Sequence, residues 1–242
     1  MSPEIYEIMA QTEGEHWWFV GRRRILAGVI KDMGLAPSAR ILEIGAGTGG
    51  NLDMLRRFGQ VEAVEMDDYA RTMARQKSGI PVRKGQLPDG LPGDLGRFEL
   101  VCLFDVLEHI EDDVAALERL RGLLQPRGRI LLTVPAHNWL WSSHDVRLHH
   151  FRRYSGALLR RRCEAAGLGI VRLSYFNLWL SPLAVLARLA GRLAQQEGSL
   201  GEETPSAPIN WAFRVLFSSE AALLRRFDLP FGISLLTILE AA

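Results

Sequence analysis

Between residues 40 and 135 the chain alternates short apolar runs with stretches of helical periodicity, and this leaves few architectures open. The runs lie at 40–44, 61–65, 80–84, 98–104 and 129–135, and helical patterns lie between them at 49–58, 68–78 and 112–124. The run "FELVCLF" (98–104) is apolar nearly throughout, as a strand buried on both faces must be. Strands alternating with helices predict a parallel sheet wrapped by helices, joined by right-handed crossovers. With 242 residues, 48% of them hydrophobic, the chain suits one domain with a sizeable core and an appendage.

The flanks read differently. Residues 1–20 are amphipathic and end in Trp17-Trp18-Phe19. A helix is expected from about Gly21 to Met33, with Ile25, Leu26, Val29, Ile30 and Met33 on one face, stopped by Gly34 and Pro37. Beyond 155 come a helix at about 156–166, the strand "GIVRLSYF", and a helix pattern in "NLWLSPLAVLARLAGRLAQQ" with Leu183, Leu186, Leu189, Ala190 and Leu193 on one face. A flexible loop is expected at 197–209, a second amphipathic helix at about 210–226, and a final strand in "PFGISLLTILEA". The uncharged stretch 173–187 falls short of the ~20 apolar residues that a bilayer needs, so packed or interfacial helices are expected there.

Composition narrows the function. The net charge of +1 gives no global field to attract nucleic acid. Arginines form local clusters, Arg22-Arg23-Arg24, Arg152-Arg153, Arg160-Arg161-Arg162 and Arg225-Arg226. Most read as solvated helix faces, a minority as contacts for an anionic substrate or membrane surface. Two cysteines exclude a disulfide framework by count and suit a reducing, cytoplasmic setting. The acidic N-terminal stretch lacks the apolar core of a signal peptide.

The stretch "RILEIGAGTGGNL" (40–52) carries the chemistry. A tight strand-to-helix turn needs glycine where φ is positive and where a side chain would hold a ligand off the backbone. The helix after it offers free N–H groups. Gly45-Ala46-Gly47-Thr48-Gly49-Gly50 fits the dinucleotide pattern G-x-G-x-x-G, a weak signal alone. Glu43, two residues before the first glycine, would gain ~0.3–1 kcal/mol near a helix N-terminus but would repel a pyrophosphate there. It suits a ligand with an amino group and no phosphate. Glu65, at the end of "VEAVEM", can accept from both hydroxyls of a ribose.

Together these describe S-adenosylmethionine. "LEIGAGTGG" followed by "VEAVEMD" resembles the first two motifs of the class I S-adenosylmethionine-dependent methyltransferases. "FELVCLFDVLEHIEDD" (98–113) is similar to their fourth-strand motif, and "GRILLTVPAHNWLWSSHD" (128–145) to the fifth strand and its loop. The resemblance covers roughly 38–175. It implies an α/β fold, Rossmann-like and doubly wound, with a mostly parallel seven-stranded sheet whose last strand runs antiparallel between the fifth and sixth. It also implies an N-terminal helical cap at 1–37, a cofactor-binding core at 38–175, a helical insertion at 176–230 able to act as a lid, and the last strand at 231–242. By position, Gly45, Gly47 and Gly49 would line the methionine portion, with Glu43 reaching its ammonium directly or through water. Glu65 would hold the ribose and Met66 would pack on the adenine. Gln86, where the family often has Asp, would accept from the adenine amino group. Asp105 completes the expected cofactor set.

The sulfonium carries the reactive methyl, so the protein's task is alignment and proton removal. Five of the six histidines fall between 109 and 150. His144, His149 and His109 are the candidate catalytic residues, with Asp105, Glu108, His137, Asp145 and His150 as further candidate bases. No metal is expected, because His144-Asp145 with His149-His150 matches no strong ligand spacing. Arg152-Arg153-Tyr154 offers an anion contact or a solvated helix start. Trp139, Trp141 and Trp17-Trp18-Phe19 could wall an apolar pocket. The expected reaction is O- or C-methylation of a small-molecule or lipid-linked acceptor, in the cytoplasm, with no nucleic-acid partner and peripheral membrane contact through 176–226. Two alternatives stay open. One is an NAD(P)-dependent oxidoreductase, against which Glu43 and the absence of a Ser-Tyr-x-x-x-Lys set argue. The other is a catalytically silent cofactor-binding partner protein.

Overall fold

The computed structural model describes residues 3–186 and 204–242. Seven strands form one sheet: β1 (Arg40–Ile44), β2 (Gln60–Glu65), β3 (Val82–Lys84), β4 (Phe98–Phe104), β5 (Leu124–Pro135), β6 (Leu168–Phe176) and β7 (Ser234–Ala241). Their order is β3-β2-β1-β4-β5-β7-β6. The first five pair in parallel, and β7 runs antiparallel between β5 and β6. The seven-stranded, doubly wound sheet expected from sequence is the one observed.

Neighbouring strand residues point to opposite faces, and both faces are buried. Leu42, Val101 and Leu132 enter one cluster with Phe98, Tyr154, Leu159 and Leu168. Ile41, Cys102 and Leu131 enter the other with Ile25, Leu26, Phe176 and Phe217.

Helices with both ends among the described residues are α1 (Pro3–Thr12), α2 (Trp17–Asp32), α3 (Leu52–Leu55), α4 (Asp68–Ser78), α5 (Asp113–Arg121), α6 (Ser143–Arg147), α7 (Gly156–Ala165) and α8 (Ala207–Leu224). β3 and α5 are shorter than the expected 80–84 and 112–124, α8 starts at Ala207 inside the expected 197–209 loop, and three further boundaries differ for a visible reason. α2 starts at Trp17 rather than Gly21, because the His16 side chain accepts from the Trp18 N–H and caps it. α3 is a single turn within the expected 49–58, since Gly49 takes φ +86 and the Gly45–Asn51 segment is spent on the turn. β5 starts at Leu124 rather than 129, with a register shift opposite Phe98/Leu100.

α8 lies against α2, with Phe217 and Leu224 in the second core. A Cβ at Gly21 would stand 2.4 Å from Phe217 Cδ1, so glycine sets how closely these helices approach. Asn210 of α8 accepts from the Trp17 N–H and donates to the Glu15 carbonyl, tying the 176–230 segment to the N-terminal cap. The expected helix face of Leu189, Ala190 and Leu193 and most of the 197–209 loop lie outside the described residues.

Candidate functional site

One cavity of about 1600 Å³ runs across the C-terminal ends of β1, β2 and β4. Such sheets open their ligand crevice there. Its roof is α1, which contributes Tyr6 and Met9, with Glu13 just after it, and its walls include Trp17, Trp18, Phe19 and Trp141. Trp139 lies apart from the cavity lining and packs beside His137.

The glycine turn forms one end. Gly45, Gly47 and Gly49 have φ of +74, +53 and +86, which other residues adopt only with strain. Nothing but Met9 Sδ, at 3.6 Å, would meet a Cβ at Gly47, so that backbone faces open space beneath α1. Glu65 is fixed by two backbone donors, the Gly47 N–H to Oε2 at 2.8 Å and the Asp67 N–H to Oε1 at 2.9 Å. Burial nonetheless pushes its carboxyl up from the ordinary range. Met66 lines the cavity with 58% of its surface exposed, a large apolar face without cover. Gln86 lines the same region on a loop closed by paired backbone bonds to Gly90.

Glu43 stands behind the turn rather than in the cavity wall. It is 1% exposed; its Oε1 accepts from Asn51 Nδ2 at 2.8 Å, and its Oε2 has no hydrogen-bond partner. Desolvation pushes its carboxyl up to about 8 against the Asn51 bond. An orphaned, buried carboxylate oxygen next to a glycine cradle fits a ligand bearing an ammonium group.

Residues the sequence reading left out complete this end. Glu13 is buried against Gly50 and paired with Lys77. Arg22 is buried, lies 4.3 Å over the Trp18 ring and pairs with Asp105. Asp105 itself sits at φ +56. The arginine triplet was a visible signal, but only the fold says which member turns inward.

The other end holds the histidines. His144, half-buried, and His149, exposed with φ +58, both line the cavity. His109 also lines it, and its ring lies 4.6 Å from that of His150. Burial, with His150 beside it, lowers the His109 pKa to about 4. His137 is not at the site: it stacks between Tyr175 and Phe231, bonded to the Gly232 carbonyl.

The arginines after β5 are internal braces. Arg153 grips Asp145 through Nε at 2.7 Å and Nη2 at 3.0 Å, while Arg152 and the Tyr154 hydroxyl bond Asp113. The anion-contact and solvated-start readings of this run are thereby corrected: a carboxylate from elsewhere in the fold meets each basic group.

A parallel sheet with β7 inserted antiparallel, a glycine turn bearing an acid before it and a ribose-type acid after it define a class I methyltransferase fold. A methyltransferase domain family model matches residues 19–173, and the chain belongs to that family. S-adenosylmethionine is the family's cofactor, as expected from sequence, and the nicotinamide reading is set aside. A ubiquinone biosynthesis O-methyltransferase of Xanthomonas campestris is 29% identical over 103 residues, 40% of this chain and 43% of that protein. The chain thus matches less than half the length of this relative. The solved complex between the Haloferax volcanii Trm112 methyltransferase activator and a methyltransferase contains a chain similar in fold, with TM-score 0.62 at 18% identity, covering 98% of this chain and 96% of that one. A Clostridium acetobutylicum S-adenosylmethionine-dependent methyltransferase gives 0.58 at 10% identity, covering 91% and 90%.

Proposed function

We propose that the protein transfers the methyl group of S-adenosylmethionine to an oxygen or acidic carbon of a small or lipid-linked acceptor. The observation that carries this is the single cavity joining the glycine turn to the histidine cluster, walled by Trp17, Trp18, Phe19 and Trp141. The relatives named as ubiquinone biosynthesis O-methyltransferases support O-methylation.

When bound, the sulfonium supplies an activated methyl. The chain's own residues do the rest. Gly45, Gly47 and Gly49 would let the backbone approach the methionine portion, and Glu65, already clamped, would accept from the ribose. Met66 would pack against the adenine, and Gln86 would accept from its amino group. Glu13 would set a negative field for the ammonium, whose charge would in turn draw the proton off Glu43, and Arg22, paired with Asp105, would lie at the same end. His144 would take the proton of the acceptor hydroxyl, with His149 as the alternative base.

Among the described residues no helix is long and apolar enough to cross a membrane. Exposed Leu183, Leu186, Trp179, Trp211, Phe227 and Phe231 support presentation of a lipophilic acceptor at a membrane surface through the 176–230 segment. Calorimetry with S-adenosylmethionine, followed by methyl transfer from labelled cofactor to a panel of hydroxylated aromatic acceptors with and without prenyl tails, tests the reading. Binding with transfer to the tailed acceptors is expected. Binding without transfer to any acceptor would favour the silent partner, and loss of tail dependence with no recruitment to liposomes would remove the lipid part.

A further inference from the structure

The sequence spacing gave no metal motif, yet the fold gathers three ligand-type side chains that are not contiguous in the chain. Glu108, His109 and His150 each offer one donor atom, and these atoms lie within 4.8 Å of one another. Glu108 and His109 end the 3₁₀ turn Leu107–His109 after β4, and His150 follows α6. All three line the cavity.

We propose that Glu108, His109 and His150 form a divalent-cation site in the cavity wall, with coordination positions open to the cavity. The proposal does not depend on methyl transfer. Its first support is the state of Glu108. This side chain is 1% exposed, and its Oε2 has no hydrogen-bond partner. An unpaired buried carboxylate oxygen is costly to leave without a partner. A cation between Glu108 and the two rings would remove this cost.

The second support is how the rings are held. His150 Nδ1 lies 2.9 Å from Asp145 Oδ1, and Asp145 is in turn gripped by Arg153 and by the Ser142 N–H. A histidine whose one ring nitrogen is bound to a carboxylate presents the other as a ligand in fixed orientation. His109 follows Glu108 directly in the 3₁₀ turn, which fixes its ring beside that of His150. The rings meet edge to face at 82°. Bonds of ~2.0–2.2 Å to a common cation would draw the three donor atoms together by roughly an ångström, within side-chain adjustment. Two imidazoles and one carboxylate select zinc, cobalt, nickel, iron(II) or manganese over magnesium or calcium.

The test uses the full chain, stripped with chelator and titrated with Co²⁺. One equivalent is expected, with visible absorption that Zn²⁺ displaces. Glu108→Gln and His109→Gln should each weaken Co²⁺ binding at least tenfold, while His149→Gln should leave it unchanged. S-adenosylmethionine binding, measured separately, reports on the cofactor end independently. Failure of the wild type to take up Co²⁺, or equal uptake by the Glu108 and His109 variants, overturns the site. Should the variants not fold, paramagnetic proton NMR of the Co²⁺ wild type decides: shifted ring N–H signals from two coordinated imidazoles are expected, and their absence refutes the proposal.

Discussion

Asn51 Nδ2 donates to Glu43 Oε1 at 2.8 Å across the glycine turn, and this bond is the one neutral contact that orients a carboxylate otherwise cut off from water. The strand residue before the turn and the residue opening α3 are thus linked behind the cofactor end of the cavity. Asn51 lines the cavity and Glu43 does not.

Glu43 makes the empty protein less stable as pH rises. Its folded pKa of about 8 lies above the ordinary 4.5, so the folded state keeps a proton that the unfolded chain gives up. Stability from this group is full below pH 4.5 and falls across the window up to about 8. Glu43→Gln should therefore out-stabilise the wild type increasingly between pH 5 and 8, by a few kcal/mol at the top of that range, on the order of 1.4 per pKa unit. Melting curves of both proteins across this range read the difference. The same variant should bind S-adenosylmethionine more weakly; equal stability gaps at pH 5 and 8 would contradict the assignment.

Glu65→Gln should lower cofactor affinity by about ten- to a hundredfold and also lower the melting temperature of the empty protein. A carboxamide keeps the shape but replaces one charge-assisted acceptor, worth ~1.5–3 kcal/mol, with a donor facing the Gly47 or Asp67 N–H. Calorimetry beside thermal melting separates the two effects.

Asp145→Asn should destabilise the fold by about 3–5 kcal/mol, because it leaves buried Arg153 without its partner. Burial opposes the Asp145 charge, but bonds from His150 and Arg153 hold its pKa below the usual carboxylate range. Urea denaturation at neutral pH gives the value. A loss under 1 kcal/mol would mean the cluster is not a structural brace.

Gly21→Val should cost about 1–3 kcal/mol and loosen α8 from α2, since its side chain must displace the Phe217 ring. Hydrogen exchange across 207–224 should rise in this variant and stay low elsewhere in the sheet.

What could be read before folding was local or periodic. β4 is apolar at nearly every position because both its faces are covered, so its burial and its place inside the sheet were visible in "FELVCLF". Gly45, Gly47 and Gly49 were legible because positive φ is a property of single residues. The start of α2 was missed because its cap is His16, a side chain not typical at that position.

The sequence by itself determined the order of strands and helices, the glycine turn and the acids that flank it, since each depends on residues within one strand-turn-helix unit. Only the tertiary structure decided which charged groups turn inward. α1 had to lie across the turn before Glu13 could meet Gly50, and α2 had to pass the end of β4 before Arg22 could meet Asp105. Likewise Glu108 and His150 are distant in the chain and adjacent in space. A charge buried by a partner from another element carries no local signature, because the same residue on an open helix face would read identically.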